Sequence, residues 1–191
     1  MNGNLAYRDP PREELIDGKI VAMSPRPRYN HNKVASKIYR RFANYLENSI
    51  CEAIADGTDL YLDEKNRFVP DMMVVCDRSK IKWDGVHGAP DLVVEVLSPG
   101  TARNDRTHKM DVYARFGVQE YWIADPEART IEQYFLQDGK FVANEFYTFY
   151  QDYELESMDE EERKEVVTHF KCSLYDDFEI SLEDIFYGMI E

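Results

Sequence analysis

Residues 89–117 read "APDLVVEVLSPGTARNDRTHKMDVYARFG". A Leu/Val run that ought to be buried is broken there by a carboxylate, Glu95. Ser98-Pro99-Gly100 then stops the strand, because proline cannot donate to a ladder and glycine favours a turn. A helix follows from about Arg103 to Phe116, with Gly117 placed for a left-handed cap. Side chains alternate along a strand, so Asp91, Val93, Glu95 and Leu97 share one face, and Leu92, Val94 and Val96 the other. A glutamate in the middle of such a strand is seldom left unpaired, since an uncompensated buried charge is strongly unfavourable.

The partner must come from elsewhere. Asp91 shares the face of Glu95 but lies about 13 Å away, at roughly 3.3 Å per residue, so the two cannot chelate one ion. "RFVPDMMVV" (67–75) reads as a strand entered through Pro70, and it offers Asp71. The connection holds "KWDGVHG" (82–88), with Asp84-Gly85 near its middle. If the two strands pair antiparallel, residues equidistant from that turn meet; Asp71 lies 13 positions before Asp84 and Glu95 lies 11 after it. Two acids brought together in an apolar setting resist ionising unless a cation lies between them. An oxygen-rich, imidazole-poor site suits Mg²⁺ or Mn²⁺ better than zinc.

Lys109, with Val112, Tyr113 and Phe116, follows the i, i+3, i+4, i+7 rule for one helical face. Two readings stand. An inward lysine could polarise a metal-bound water or neutralise charge on a phosphate. Alternatively, Asp105 and Lys109 form a surface pair at i, i+4 with the lysine stem reaching solvent. Asp71 likewise reads either as a ligand or as a strand-entry cap for backbone N–H groups.

Elsewhere, "ELIDGKIVAMS" (14–24) reads as a hairpin turning at Asp17-Gly18. From about Asn30 to Asn48, Val34, Ile38, Phe42 and Tyr45 recur at helical spacing. "CEAIA" and "DLYLD" are short strands around Asp56-Gly57, and "EYWIAD" is a core strand ended by Pro126. "TIEQYFLQDGKFVANEFYTF" is a hairpin at Asp138-Gly139. "DEEERKEV" is a solvated helix or loop, and "SLEDIFYGMI" a closing helix with Ser181 at its start and Asp184 at the third position. Of the tryptophans, Trp83 reads as a loop anchor and Trp122 as strand core.

At 191 residues with 43% hydrophobic content, the chain suits one mixed α/β domain over 1–191, with a core at about 14–150 and a segment 151–191. Net charge is −14. Residues 151–191 hold fourteen acids and three bases, a balance of −11, which leaves −3 for the rest. Residues 18–46 carry seven Lys or Arg and no acid. No apolar run approaches a membrane span, and the N-terminus lacks the apolar core of a signal peptide. Cys51, Cys76 and Cys172 are far apart and odd in number, which suggests free, buried thiols in a reducing cytoplasm.

"VPDMMVV", "APDLVVEVLSPGT", "DRTHK", "FGVQEYWIADP" and "ELIDGKIVAMSPRP…H" together resemble the Uma2 family of the restriction-endonuclease-like, PD-(D/E)xK nuclease superfamily. The resemblance runs from about Glu14 to Pro126, with a weaker echo in "SLYDDFEISLEDIF". It implies a mixed sheet of roughly five strands flanked by helices, with the active site where the Asp71 and Glu95 strands diverge. By resemblance Asp71 and Glu95 are the metal-binding acids of that signature. Leu97 occupies the usual lysine position; Uma2-like proteins carry the lysine on the following helix, where Lys109 matches. Glu14 coincides with an acid that assists the metal in some members, and is carried as a further catalytic candidate. His31 also coincides with a recurring position, and is expected at a helix start or on the surface.

The function implied is a Mg²⁺-dependent endonuclease hydrolysing phosphodiester bonds of DNA, with Mn²⁺ an alternative ion. Arg26, Arg28, Lys33, Lys37, Arg40 and Arg41 would hold the nucleic-acid backbone through salt-sensitive contacts. The superfamily is compatible with a homodimer. The alternative is a catalytically inactive nuclease fold serving as a binding or regulatory module, motivated by an acidic tail able to occupy the basic surface. A carboxylate pair for glycoside hydrolysis fits poorly, because such sites sit in clefts rich in exposed aromatics.

Overall fold

Asp17 and Gly18 both take positive φ, 47° and 78°, and so close the hairpin of β1 (Glu13–Ile16) and β2 (Lys19–Ala22). The computed structural model describes residues 13–22 and 28–190. After the hairpin come α1 (Tyr29–Tyr45), β3 (Glu52–Ala55), β4 (Leu60–Asp63), β5 (Asn66–Phe68) and β6 (Met72–Val75). Next are β7 (Ile81–Lys82), β8 (Gly85–His87) and the central β9 (Leu92–Val96). A helical stretch follows: α2 (Ala102–Asn104), a π-helical turn (Asp105–Lys109) and α3 (Met110–Phe116). Gly117 ends it in the left-handed conformation at φ 89°, as the sequence suggests. Then come β10 (Glu120–Asp125), β11 (Thr130–Gln137) and β12 (Lys140–Thr148). The chain closes with α4 (Asp152–Ser157), α5 (Glu160–Glu165), β13 (His169–Lys171), β14 (Glu179–Ser181) and α6 (Leu182–Phe186).

Among the described residues the strands make two six-stranded sheets and a two-stranded one. One large sheet runs β12-β11-β10-β9-β6-β3, mixed because β9 and β10 are parallel and the other neighbours antiparallel. The other runs β2-β1-β5-β4-β8-β7. The expectation of about five strands in one sheet is thus too small. "RFVPDMMVV" also proves to be two strands: Pro70 lacks an N–H, so the ladder breaks there and β5 and β6 join different sheets.

The strand β9 is buried on both faces, which is why its sequence is continuously apolar. Leu92, Val94 and Val96 pack with Val34, Ile38 and Phe42 of α1 and with Leu182, Ile185 and Phe186 of α6. Val93 and Leu97 pack on the opposite side with Phe68, Leu60, Val112 and Tyr113. Each such fully buried side chain contributes about 1.5–3 kcal/mol relative to exposure. The C-terminal elements are fastened by Glu120, which is fully buried but saturated. It accepts from Trp122 Nε1 (2.5 Å), Gln133 Nε2 (2.6 Å) and the Ser173 N–H (2.9 Å).

Two further sequence expectations fail. Cys51 and Cys76 form a disulfide, while Cys172 is free and buried. The register of β3 on β6 pairs Glu52 with Val75, so one step further sets Cys51 against Cys76 across 25 residues of chain. The argument from free thiols to a reducing compartment therefore loses its basis. Trp83 anchors nothing: it is 97% exposed, whereas Trp122 is fully buried as expected. In α6, Ser181 stands at the N-cap but makes no side-chain capping bond. No helix among the described residues is long and apolar enough to cross a membrane.

The bridge can be counted. Denatured protein kept free of reductant should present one reactive thiol of the three; three would show that the bridge is absent. Replacing both Cys51 and Cys76 by serine should lower the unfolding free energy by about 3 kcal/mol, the loop-closure contribution expected for a ring of that size.

Candidate active site

Five acids, Glu14, Asp56, Asp71, Glu95 and Asp105, and one lysine line a cleft of about 70 Å³ between the two large sheets. Antiparallel pairing of Met72 with Val94 sets Asp71 opposite Glu95 one step along, the meeting anticipated from the turn at Asp84. The Val96 N–H donates to Asp71 Oδ2 at 2.7 Å, so both readings of Asp71 hold: it caps a backbone amide and lines the cleft. Glu14 reaches in from β1 of the other sheet, its Oε1 accepting the Val69 N–H at 3.1 Å. Asp105 and Lys109 come from the π-helical turn. That wider turn puts both side chains inward, and π-turns of this kind recur at functional sites.

Lys109 is 3% exposed. Its Nζ lies 2.9 Å from Glu14 Oε1, 3.1 Å from Glu95 Oε1 and 3.4 Å from Asp105 Oδ1. The i, i+4 pair with Asp105 exists, but inside the protein and not on its surface. Tyr113 donates its hydroxyl to the same Glu95 Oε1 at 2.8 Å. Burial pushes the Glu95 carboxyl well above the usual range; Lys109 opposes this, and Asp105, Asp71 and Glu14 reinforce it. Burial raises Asp105 as well, again against Lys109. For Lys109, burial works against the charge, but Glu95, Glu14 and Asp105 outweigh it and hold the ammonium well above its ordinary pKa. The acids outnumber the ammonium, so the cluster favours the charged form of Lys109 while burial disfavours the charged forms of Glu95 and Asp105.

Sequence reasoning underrated three residues here. His31 lines the cleft from the first turn of α1, its Nε2 3.5 Å from Asp71 Oδ2. The signal was present, since His31 continues the inward stripe of Val34, Ile38 and Phe42. Asp105 was legible only as a partner of Lys109, and Tyr113 only as an apolar-face residue.

Among the described residues no three acid, cysteine or imidazole groups stand as a ready cage for an ion. The point where Glu14, Glu95 and Asp105 meet is taken by the Lys109 ammonium. The donors nonetheless fit a hard cation. Asp105 Oδ1 is buried without a hydrogen bond. Among the described residues, the hydrogen bonds to Glu95 fall on Oε1 and that to Asp71 falls on Oδ2, leaving the second oxygen of each carboxylate. Mg²⁺ is commonly held by one or two carboxylates, with waters and substrate phosphates completing its shell.

The basic residues of α1 are less free than the sequence suggested. Lys33 donates to the Gly188 carbonyl and Lys37 to the Tyr187 carbonyl (2.8 Å), while Arg41 pairs with Asp184. The C-terminal segment therefore lies along this helix, and the lysines cap the end of α6. Arg28 is exposed beside Glu127 at 3.6 Å, Arg40 is exposed, and Arg26 lies outside the described residues.

Against known proteins, residues 4–164 match the model of the Uma2 family, described as "Putative restriction endonuclease". The chain is 32% identical over 131 residues to the uncharacterized protein slr1290 of Synechocystis sp. (strain ATCC 27184 / PCC 6803 / Kazusa), covering 66% of this chain and 67% of that one. It is 26% identical over 127 residues to sll1609 of the same strain, covering 64% and 71%. In structure it is similar to "a putative nuclease belonging to DUF820" from Anabaena variabilis ATCC 29413, with a TM-score of 0.69. That match covers 92% of this chain and 90% of the other at 21% identity, a likeness of fold.

Two outcomes test the electrostatics. Lys109→Ala leaves buried carboxyls uncompensated and should cost about 3–5 kcal/mol in urea unfolding; a loss under about 1 kcal/mol would mean that the cluster is solvated. For His31, burial lowers the pKa, but the hydrogen bond and charge of Asp71 outweigh it and leave it raised above 6.5. A raised folded-state pKa stabilises fully below the unfolded value and fades as pH climbs through the folded one. His31→Gln should therefore cost most below pH 6.5 and progressively less above it; a pH-independent cost would refute the pairing.

Proposed function

Because this chain belongs to the Uma2 family, described as "Putative restriction endonuclease", we propose that it is a divalent-metal-dependent endonuclease hydrolysing phosphodiester bonds of DNA. One observation carries the reading: carboxylates from both sheets and from the π-helical turn meet a buried lysine in one narrow cleft. Asp71 and Glu95 would hold Mg²⁺, or Mn²⁺ in its place, through the carboxylate oxygens that the described residues leave without a hydrogen bond. A bound ion of this kind lowers the pKa of a coordinated water and shields phosphate charge.

The remaining steps belong to the protein's own groups. Tyr113 and Lys109 fix Glu95 through a single oxygen, which sets the orientation of the carboxylate plane. Lys109 supplies a fixed positive charge where negative charge grows on the phosphate, and a preorganised charge needs no rearrangement at that moment. Glu14 and Asp105 hold the ammonium in place, and His31 orients Asp71. Glu14 thus acts through Lys109. Backbone contacts with the DNA fall to Arg28 and Arg40, with Arg26 beside them in sequence. Lys33 and Lys37 add their field from beneath the C-terminal segment, since a carbonyl partner does not cancel a lysine's charge, whereas the charge of Arg41 is countered by Asp184.

The decisive variant is Glu95→Gln. Mg²⁺-dependent nicking of supercoiled plasmid should vanish while the circular dichroism spectrum and a cooperative unfolding transition remain. Nicking that survives in this variant would remove the assigned site.

A further inference from the structure

Trp83 is the most exposed large hydrophobic side chain among the described residues, at 97%. It occupies a two-residue turn between β7 and β8, whose register pairs Lys82 with Gly85 and Ile81 with Val86. The turn is rigidly mounted. The Val86 N–H donates to the Asp59 carbonyl and the Gly88 N–H to the Tyr61 carbonyl, each at 2.8 Å. Gly85, at φ 145°, runs so close to Asp59 that a Cβ would meet its carbonyl oxygen at 2.3 Å, so only glycine fits. The His87 ring stacks on Tyr61 with centroids 4.7 Å apart, and its Nε2 lies 3.1 Å from Asp84 Oδ1. Every group that fixes the hairpin is therefore one other than the indole.

An apolar ring held out on a fixed backbone loses little freedom when something covers it. What covers it is narrowed by the neighbouring charge. Arg78, Lys80 and Lys82 fall within five residues just before the indole. Arg78 is paired with Glu52 at 2.9 Å and Asp77 lies in the field of Lys80 and Lys82; Lys80 donates to the Ala89 carbonyl at 2.8 Å, Lys82 is exposed, and Asp84, the acid beside the indole, is engaged by His87. An exposed flat ring next to the exposed Lys82 suits an unpaired base and its phosphate. The hairpin also belongs to the sheet that supplies Glu14. From β1 to β7 is four strand steps, about 19 Å at 4.8 Å each.

We propose that Trp83 stacks on an unpaired base of the nucleic acid held in the active-site cleft. This rests on the nuclease reading above and goes further by naming a substrate feature, a stretch with unpaired bases.

The two tryptophans make the test direct, because Trp122 is sealed in the core and Trp83 is bare. In EDTA, which withholds divalent ions, a labelled single-stranded oligonucleotide and the blunt duplex of the same sequence are titrated separately. Binding is followed by anisotropy and tryptophan emission is read alongside. Trp83 emission should be quenched by the single strand and far less by the duplex. Trp83→Ala should weaken single-strand affinity by about tenfold, the order that one stacked base supplies, and Trp83→Phe by less. Both variants should unfold at the wild-type midpoint, since the ring buries nothing. Binding without quenching, or an unchanged affinity in Trp83→Ala, overturns the proposal. So does emission that tracks protein concentration without nucleic acid, which would assign the ring to a second copy of the chain. Plasmid nicking by the wild type separates the two ideas: nicking with an unquenched Trp83 refutes the stack and leaves the nuclease, whereas neither nicking nor binding removes both.

Discussion

A lysine ammonium buried among three carboxylates imposes the main constraint on this fold. Lys109 touches Glu14 from one sheet, Glu95 from the other and Asp105 from its own π-helical turn. No two of these acids could be sealed together without it, because like charges in a low-dielectric space repel far more than packing returns. The ammonium in turn stays charged only because the acids surround it. The two sheets and the helix after β9 are thus locked in register by one electrostatic cluster.

Glu120 shows why burial of an acid alone is not a functional signal. It is as deeply buried as Glu95, yet its donors come from an indole, an amide, a backbone N–H and a hydroxyl. Those neutral groups satisfy the carboxylate and tie the C-terminal elements to the sheet. Glu95 is held by a charged ammonium and a phenol on one oxygen and faces other acids across a cleft. The difference lies in the sign of the surroundings, not in depth.

The charge asymmetry of the chain also takes on a different meaning in three dimensions. The acidic C-terminal stretch is largely folded, in α4, α5, the β13–β14 hairpin and α6. The residues just after α6 lie on α1, where Lys33 donates to the Gly188 carbonyl and Lys37 to the Tyr187 carbonyl. A basic helix and an acidic segment that look opposed in the sequence are one packed unit.

Much of the local structure was legible from residue order. The hairpins at Asp17-Gly18 and Asp138-Gly139, the left-handed stop at Gly117 and the two faces of β9 all follow from short-range sterics and alternation. The opposition of Asp71 and Glu95 was readable too, because an antiparallel register is fixed by counting from a turn. Other features needed partners distant in sequence. Cys51 meets Cys76 only through the β3–β6 register, Pro70 divides one apolar run between two sheets, and the outward Trp83 is set by β8 docking on β4. The inward turn of Asp105, Lys109 and His31 was likewise undecided until β1 and α1 closed over β9. Periodicity says which residues share a face; which face is covered, and by what charge, is settled only when the whole chain packs.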